Sequence, residues 1–223
     1  MPLPTLIDDT EASLTERVYE TLKTAILSLD LKPREHLIIG DLAGHYQISR
    51  TPVREALIML EREGWVKNDG RRGAMVTVPS AEAIMQTIEI QAVLEGYIAQ
   101  RATELATTKQ LSAIEALLDE ADTMIEAGDE EGSRQVGLRF HELLAEMAGN
   151  PRMRAEIALL EQHVARVRPL IWQKGAAPAD ESARQHRAIF NAMRRRNAER
   201  ARQLMFDHTV WFEKELSTAL RHV

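Results

Sequence analysis

Apolar residues recur with helical spacing along most of this chain. Val18, Leu22, Ile26 and Leu29 share one face and predict a first helix over Ser13–Leu29, stopped by Lys32-Pro33. Residues 1–12 ahead of it are polar and are expected to be mobile. Two shorter helices follow over Ile39–Tyr46 and Arg50–Glu63, and then two strands, Trp65–Asn68 and Ala74–Val78, around a Gly70-Arg71-Arg72-Gly73 turn. From Ser80 onward no strand-like run of useful length occurs. Helices are predicted over 81–105, 108–127, 130–148, 151–173, 180–196 and 198–221, punctuated by Gly128-Asp129, Gly149-Asn150-Pro151 and the Gly175–Pro178 segment. The expected fold is mainly α: a winged helix-turn-helix over 13–79 and an all-helical bundle over 80–223, long enough to enclose a core and a pocket.

The third helix carries the first candidate chemistry. Ser49 stands at its N-cap position, and Arg50, Thr51 and Pro52 fill its first turn, where proline costs little because those N–H groups lack intrahelical partners. Arg54 stands one turn above Arg50. Two guanidinium forks thus project from one face, at the end that a recognition helix offers to base edges in the major groove. Val53, Leu57 and Leu60 make the opposite, apolar face. A three-helix module used for protein contacts shares this pattern and stands as the alternative.

The formal net charge of -6 is unpromising for a nucleic-acid binder until it is resolved by segment. Arg50–Arg72 holds six basic residues (Arg50, Arg54, Arg62, Lys67, Arg71, Arg72) against four acidic ones (Glu55, Glu61, Glu63, Asp69), a local excess of +2. A phosphate responds to charge within a Debye length of ~8 to 10 Å, so the local sign governs. The acidic remainder would suppress indiscriminate DNA binding. Cysteine is absent, which excludes a disulfide framework and a thiol nucleophile. No apolar run approaches the ~20 residues that cross a bilayer, and Met1–Thr10 lacks the regions of a signal peptide, so no membrane association and a cytoplasmic location are expected.

Leu42-Ala43, Ser49-Arg50-Thr51-Pro52-Val53-Arg54-Glu55-Ala56-Leu57 and Leu60-Glu61-Arg62-Glu63-Gly64 follow one another in that order. At these residues the chain strongly resembles the GntR family of bacterial transcription regulators. The resemblance implies a homodimer that reads an inverted-repeat double-stranded DNA operator. Arg50 and Arg54 would read bases, most naturally guanine O6 and N7. Ser49, Thr51, Lys67, Arg71 and Arg72 would position the protein on phosphate or enter the minor groove from the wing.

Three of the seven histidines stand out on spacing alone. His141 lies on the stripe Leu138, His141, Ala145, Ala148; His186 on His186, Ile189, Phe190, Met193; His208 on Leu204, His208, Trp211. Each imidazole therefore points toward the core. One inward histidine is usually a satisfied core residue, but three rings from three helices each need partners for their nitrogens. Imidazoles converging at ~2.0 to 2.1 Å on a divalent ion meet that need and leave positions open for water or an anionic effector. Zinc suits the ligand type best, with nickel and manganese as alternatives. A histidine-lined polar pocket without metal and a packed core without a ligand site also fit the pattern. His163 is placed to reach such a pocket, whereas His36, His45 and His222 are expected at the surface. Arg194-Arg195-Arg196 ends a helix and reads as a solvated, dipole-complementing terminus.

Leu94-Glu95, Phe140-His141-Glu142-Leu143-Leu144, Ala148-Gly149-Asn150-Pro151, His186-Arg187-Ala188-Ile189 and the late His208 give a second resemblance, over most of residues 81 to 221, to the FCD effector domain of the FadR subfamily of GntR regulators. It implies that His141, His186 and His208 are metal ligands and that the effector is a small organic acid. Two positions depart from the family pattern. Gly137 stands where an Asp ligand is usual, four residues before the first histidine. Gln91 stands where an Arg suited to a carboxylate is frequent, and offers neutral groups instead of a charged fork. The effector-binding set expected is Gln91, His141, His163, His186 and His208. The functional expectation is a ligand-responsive DNA-binding regulator and not an enzyme. The alternatives are a histidine-rich metallohydrolase with an accessory winged domain, or a direct metal sensor.

Overall fold

The computed structural model describes residues 3–8, 12–28, 30–70, 73–77, 80–168, 172, 175 and 177–220. The chain divides into two compact units, Met1–Ser80 and Ala81–Val223.

In the first unit α1 spans Leu14–Leu27, opened by a reciprocal box in which Ser13 and Glu16 each accept the other's backbone N–H. It ends at Leu27, two residues before the expected boundary, with the Ser28 N–H returning to the Thr24 carbonyl. Leu29, expected on its apolar face, lies outside the described residues. α2 (Ile39–Tyr46) closes on Gln47 in the left-handed conformation, and α3 (Arg50–Arg62) starts two residues beyond the Gln47–Ile48 turn. Val18, Leu22, Ile26, Leu42, Val53, Leu57 and Leu60 from these helices bury together with Trp65, Val66 and Val76.

The wing has three strands where two were expected. β1 (His36–Ile38), β2 (Val66–Asn68) and β3 (Gly73–Val76) form an antiparallel sheet in the order β1-β3-β2, with Val66 opposite Val76 and Leu37 opposite Ala74. β1 escaped the reading because three residues carry no period of their own; only the distant β3 makes them a strand. Gly73 is required at this crossing, since a Cβ there would run into the Leu37 carbonyl. The wing tip Arg71-Arg72 and the expected strand end Val78 lie outside the described residues. Residues 3–8 depart from the expected mobility. Ile7 donates its N–H to Thr21 Oγ1 and accepts from Arg17 Nε, and Leu3 and Leu6 pack on the core. Two leucines dispersed among polar positions suffice to anchor the strip.

One carboxylate organises the centre of this unit. Glu63 accepts from Tyr19 Oη (2.7 Å), Trp65 Nε1 (2.8 Å) and the buried Lys23 Nζ (3.0 Å). Burial pushes its carboxyl up, but those hydrogen bonds and the Lys23 charge outweigh burial and hold it below the usual value. Burial, with Glu63 beside it, pushes the Tyr19 phenol far up. A carboxyl held lower in the folded than in the unfolded chain contributes stability that is present above its unfolded value of about 4.3 and is lost as pH falls through the folded value. Acidification below about pH 4 is therefore expected to lower the melting temperature of this unit, and Glu63→Gln to flatten that dependence. Calorimetry of the full chain between pH 7 and pH 3 checks both.

The second unit is helical: α4 (Ala81–Leu105), α5 (Thr108–Glu126), α6 (Glu130–Met147), α7 (Pro151–Ala165), α8 (Ala179–Arg194) and α9 (Ala198–Leu220). Side chains at the expected breaks cap these helices: Thr107 with Gln110 for α5, Asp129 for α6, and Asn150 followed by Pro151 for α7. α4 and α9 run closely packed, and Gly96 permits it, since a Cβ would stand 3.2 Å from the Arg202 carbonyl oxygen. Phe140, Leu144, Ile114, Ile189, Phe190 and Met193 fill the core. The helix expected over 151–173 stops at Ala165, where the chain tightens and the Val167 N–H returns to the Val164 carbonyl; residues 169–171 and 173 of the expected span lie outside the described residues. Arg196, from the triple-arginine helix end, donates to the Thr103 and Ala106 carbonyls and so caps α4. No helix among the described residues is long and apolar enough to cross a membrane.

Candidate functional sites

On α3 the side chains sort as its period requires. Val53, Ala56, Leu57 and Leu60 are buried, whereas Ser49, Arg50, Thr51 and Arg54 are exposed, as is Lys67 on β2. Ser49 occupies the N-cap position without a side-chain cap bond, which corrects the capping role expected for it and leaves its hydroxyl to solvent. The charges sort in the same way. The acidic residues of this segment are occupied inside the unit: Glu55 accepts from Thr15, Glu61 from the Asn68 N–H, Glu63 from the central cluster, and Asp69 lies 2.7 Å from His36 Nδ1. Arg50, Arg54, Arg62 and Lys67 make no ion pair among the described residues. The basic side chains of this face thus stand in solvent without a local counter-ion, and the formal excess of +2 is the local charge a phosphate would meet. Arg71 and Arg72, expected to contact DNA from the wing, lie outside the described residues.

In the second unit α6, α8 and α9 bring His141, His186 and His208 together, with ligand atoms all within 4.8 Å of one another. His186 Nε2 lies 3.1 Å from His141 Nε2 and 3.1 Å from His208 Nε2. His208 Nδ1 lies 2.7 Å from Gln185 Oε1, whose amide nitrogen donates to Glu181; a carbonyl oxygen there requires Nδ1–H and leaves the His208 Nε2 lone pair free. His141 Nδ1 lies 3.3 Å from Glu95 Oε1, too poorly aligned for a hydrogen bond, and Thr209 holds the other Glu95 oxygen at 2.7 Å. Burial pushes Glu95 up, but the His141 charge and the Thr209 hydrogen bond outweigh it and hold the carboxyl at about 2. Burial lowers His141, yet Glu95 overrides it and raises the ring; burial with the neighbouring rings holds His186 well below its usual value and His208 at about 3.

These residues fit a divalent ion. Two nitrogens ~2.0 to 2.1 Å from one centre stand about 2.9 Å apart at a right angle and about 3.4 Å apart at the tetrahedral angle, and the observed spacings fall between. One N–H on His186 cannot resolve two Nε2 contacts with a free lone pair at His208, whereas a cation satisfies all three rings. Gly137 adds a steric condition, since a Cβ there would lie 3.0 Å from His186 Cε1. His186 is itself packed against Phe140, ring centroids 4.7 Å apart. Gly137→Ala is accordingly expected to displace His186 by a few tenths of an ångström and weaken metal binding, at a cost on the order of 1 kcal/mol. Competition with a chromogenic chelator measures it.

The histidines border a cavity of about 470 Å³ lined also by Gln91, Glu95, Arg134, Glu161, Gln162 and Trp172. Gln91 is buried and donates weakly to Glu161 (3.4 Å), which pairs with Arg168. His163 does not line it, although α7 contributes Arg154, Ile157, Ala158, Glu161, Gln162 and Val164 on either side of that position. This corrects its expected place in the effector set. Gln185, Arg134 and Gln162 are absent from the set expected from the sequence, and Glu95 stands there only within the Leu94-Glu95 motif, with no role in the site. Glu95 is one turn from Gln91 and Arg134 two turns from His141, so helical spacing could have found them; nothing local ties Gln185 to His208, 23 residues on.

A family model described as FCD domain matches residues 86–210, and one described as bacterial regulatory proteins, gntR family, matches residues 14–76. The HTH-type transcriptional regulator YdhC of Bacillus subtilis (strain 168) is 29% identical over 191 residues, covering 85% of each chain. The HTH-type transcriptional repressor RspR of Escherichia coli (strain K12) is 26% identical over 223 residues, covering 100% of this chain and 95% of its own. The solved structure of E. coli McbR/YncC shares the fold with a TM-score of 0.67 at 22% identity, over 95% of this chain and 99% of that one. With a DNA-binding half and an effector half matched in the order the two units fold, the chain belongs to the gntR family of bacterial regulatory proteins, as a ligand-responsive transcription regulator with an FCD domain.

Proposed function

We propose that this regulator binds an inverted-repeat operator as a cytoplasmic homodimer, and that a small anionic effector, held beside a divalent metal at His141, His186 and His208, changes its operator affinity. The observation that carries the effector half is the convergence of the three imidazoles on a cavity large enough for a small molecule, with His186 Nε2 3.1 Å from the Nε2 atoms of both His141 and His208. Zinc matches the all-imidazole donor set. When bound, the metal supplies a Lewis-acidic anchor for an effector oxygen. Gln185 orients His208, and Glu95 sets a negative charge beside His141.

On DNA, Arg50 and Arg54 reach base edges from α3, while Ser49, Thr51, Lys67 and the wing arginines Arg71 and Arg72 hold phosphate or the minor groove. Ile90, Val93 and Tyr97 form an exposed apolar stripe on α4, 53, 61 and 47% accessible, and support self-association. Paired winged units must meet half-sites one helical turn apart, so a change in dimer packing alters several contacts together.

Selection from random duplex DNA by the full chain tests the first half. An inverted repeat is the expected product, and enrichment of no motif overturns it. Elemental analysis of protein purified without added metal tests the second, with about one zinc per chain expected. Absence of metal together with no uptake in calorimetry overturns it.

A further inference from the structure

Three buried polar atoms without a hydrogen-bond partner face the same cavity: His141 Nδ1, Arg134 Nε and Gln162 Oε1. The first lies beside Glu95; Arg134 bonds to Glu130 through its NH2 alone, which leaves its Nε without a partner, and Gln162 Oε1 likewise has none. A buried donor or acceptor left unsatisfied is costly, so two in one cavity point to a ligand that completes them.

Arg134 differs from the other guanidinium groups at this cavity. Arg168 is neutralised by Glu161, and Arg154 is 57% exposed beside Glu146. Arg134 is 11% exposed, its NH2 bonds outward to the largely solvated Glu130, and its plane lies 5.3 Å from the centre of the Trp172 ring. The buried Nε–H remains without a partner, on a side chain that lines the cavity. A carboxylate is the complementary acceptor, because a charge-assisted bond to guanidinium is about twice as strong as a neutral one. Gln162 Oε1 accepts only, so the same ligand needs a hydroxyl or ammonium donor.

Spacing sets the ligand's length. Arg134, Leu138, His141 and Ala145 share the cavity face of α6, so Arg134 stands seven residues, roughly 10 Å along the axis, from His141. Allowing for a bond at each end leaves roughly 5 to 7 Å between the outer oxygens of a bridging molecule. We propose that Arg134 and Gln162 form a second recognition point of the effector cavity, which selects a two-headed organic acid of about four to six carbons that carries a hydrogen-bond donor. One carboxylate meets the histidine centre and the other meets Arg134. This rests on the metal-and-effector reading of the same cavity.

The test is calorimetry on the zinc-loaded full chain with succinate, glutarate and adipate against butyrate, pentanoate and hexanoate, and with malate against succinate. At least one dicarboxylate is expected to bind about tenfold more tightly than the monocarboxylate of equal length, a difference of about 1.4 kcal/mol. Arg134→Gln is expected to erase that difference and leave monocarboxylate affinity and zinc content unchanged. Arg134→Lys, which keeps the charge without the Nε–H, is expected to restore only part of it. Malate is expected to exceed succinate severalfold, and Gln162→Leu to remove that preference. Equal affinity for one-headed and two-headed acids, binding by no dicarboxylate, or an Arg134→Gln variant that keeps the preference each overturns the proposal. Zinc content and operator affinity, measured on the same preparations, show separately whether the underlying reading has failed.

Discussion

Alanine at both Arg50 and Arg54 is expected to remove about 2 to 6 kcal/mol of specific operator binding, since each base-reading guanidinium is worth about 1 to 3 kcal/mol of discrimination. The fold should survive, because both side chains stand in solvent while Val53, Ala56, Leu57 and Leu60 hold α3 to the core. Lys67→Ala provides the contrast. A phosphate contact carries no sequence information, so its loss should weaken specific and non-specific binding alike and reduce the salt slope by about one. Fluorescence anisotropy on the selected operator and on a scrambled duplex, at two salt concentrations, distinguishes them. Unchanged affinity and base preference in the double variant would place the recognition surface elsewhere.

The second large effect is expected at the histidines. His186→Ala and His208→Ala should each abolish stoichiometric metal and the associated thermal stabilisation, which follows RT ln(1 + [L]/Kd) and reaches about 4 kcal/mol at a thousandfold excess over Kd. His186 is the more sensitive position, because its Nε2 meets both neighbours. Calorimetric melting with and without zinc reads this directly. A metal-dependent shift that persists in both variants would show that the stabilising ion sits at another site.

The features legible in the sequence were those with a local signature. The α3 motif, the helix breaks at Gly128-Asp129 and Gly149-Asn150-Pro151, and the three histidine stripes announce themselves within a turn or two of helix. Membership of the gntR family also removes the metallohydrolase alternative, since the matched domains are those of a regulator. What escaped depends on distant partners. β1 exists through pairing with β3, Gln185 matters because His208 arrives from another helix, and the short motif around Glu63 conceals a carboxylate that gathers Tyr19, Lys23 and Trp65. Gly137 was visible as a departure from the family pattern, but its steric meaning was not, because the cost of a side chain depends on where His186 sits.

That glycine bears on how the site would respond to an anion. A coordinating aspartate would lower the charge of a bound divalent ion by one unit before any effector arrived. At Gly137 no such group exists, and neutral imidazoles at His186 and His208 leave the ion's charge undiminished. A carboxylate entering there would be both ligand and counter-ion, lowering the net charge of the ion and its imidazoles from +2 to +1, a step that a coordinating aspartate would already have taken.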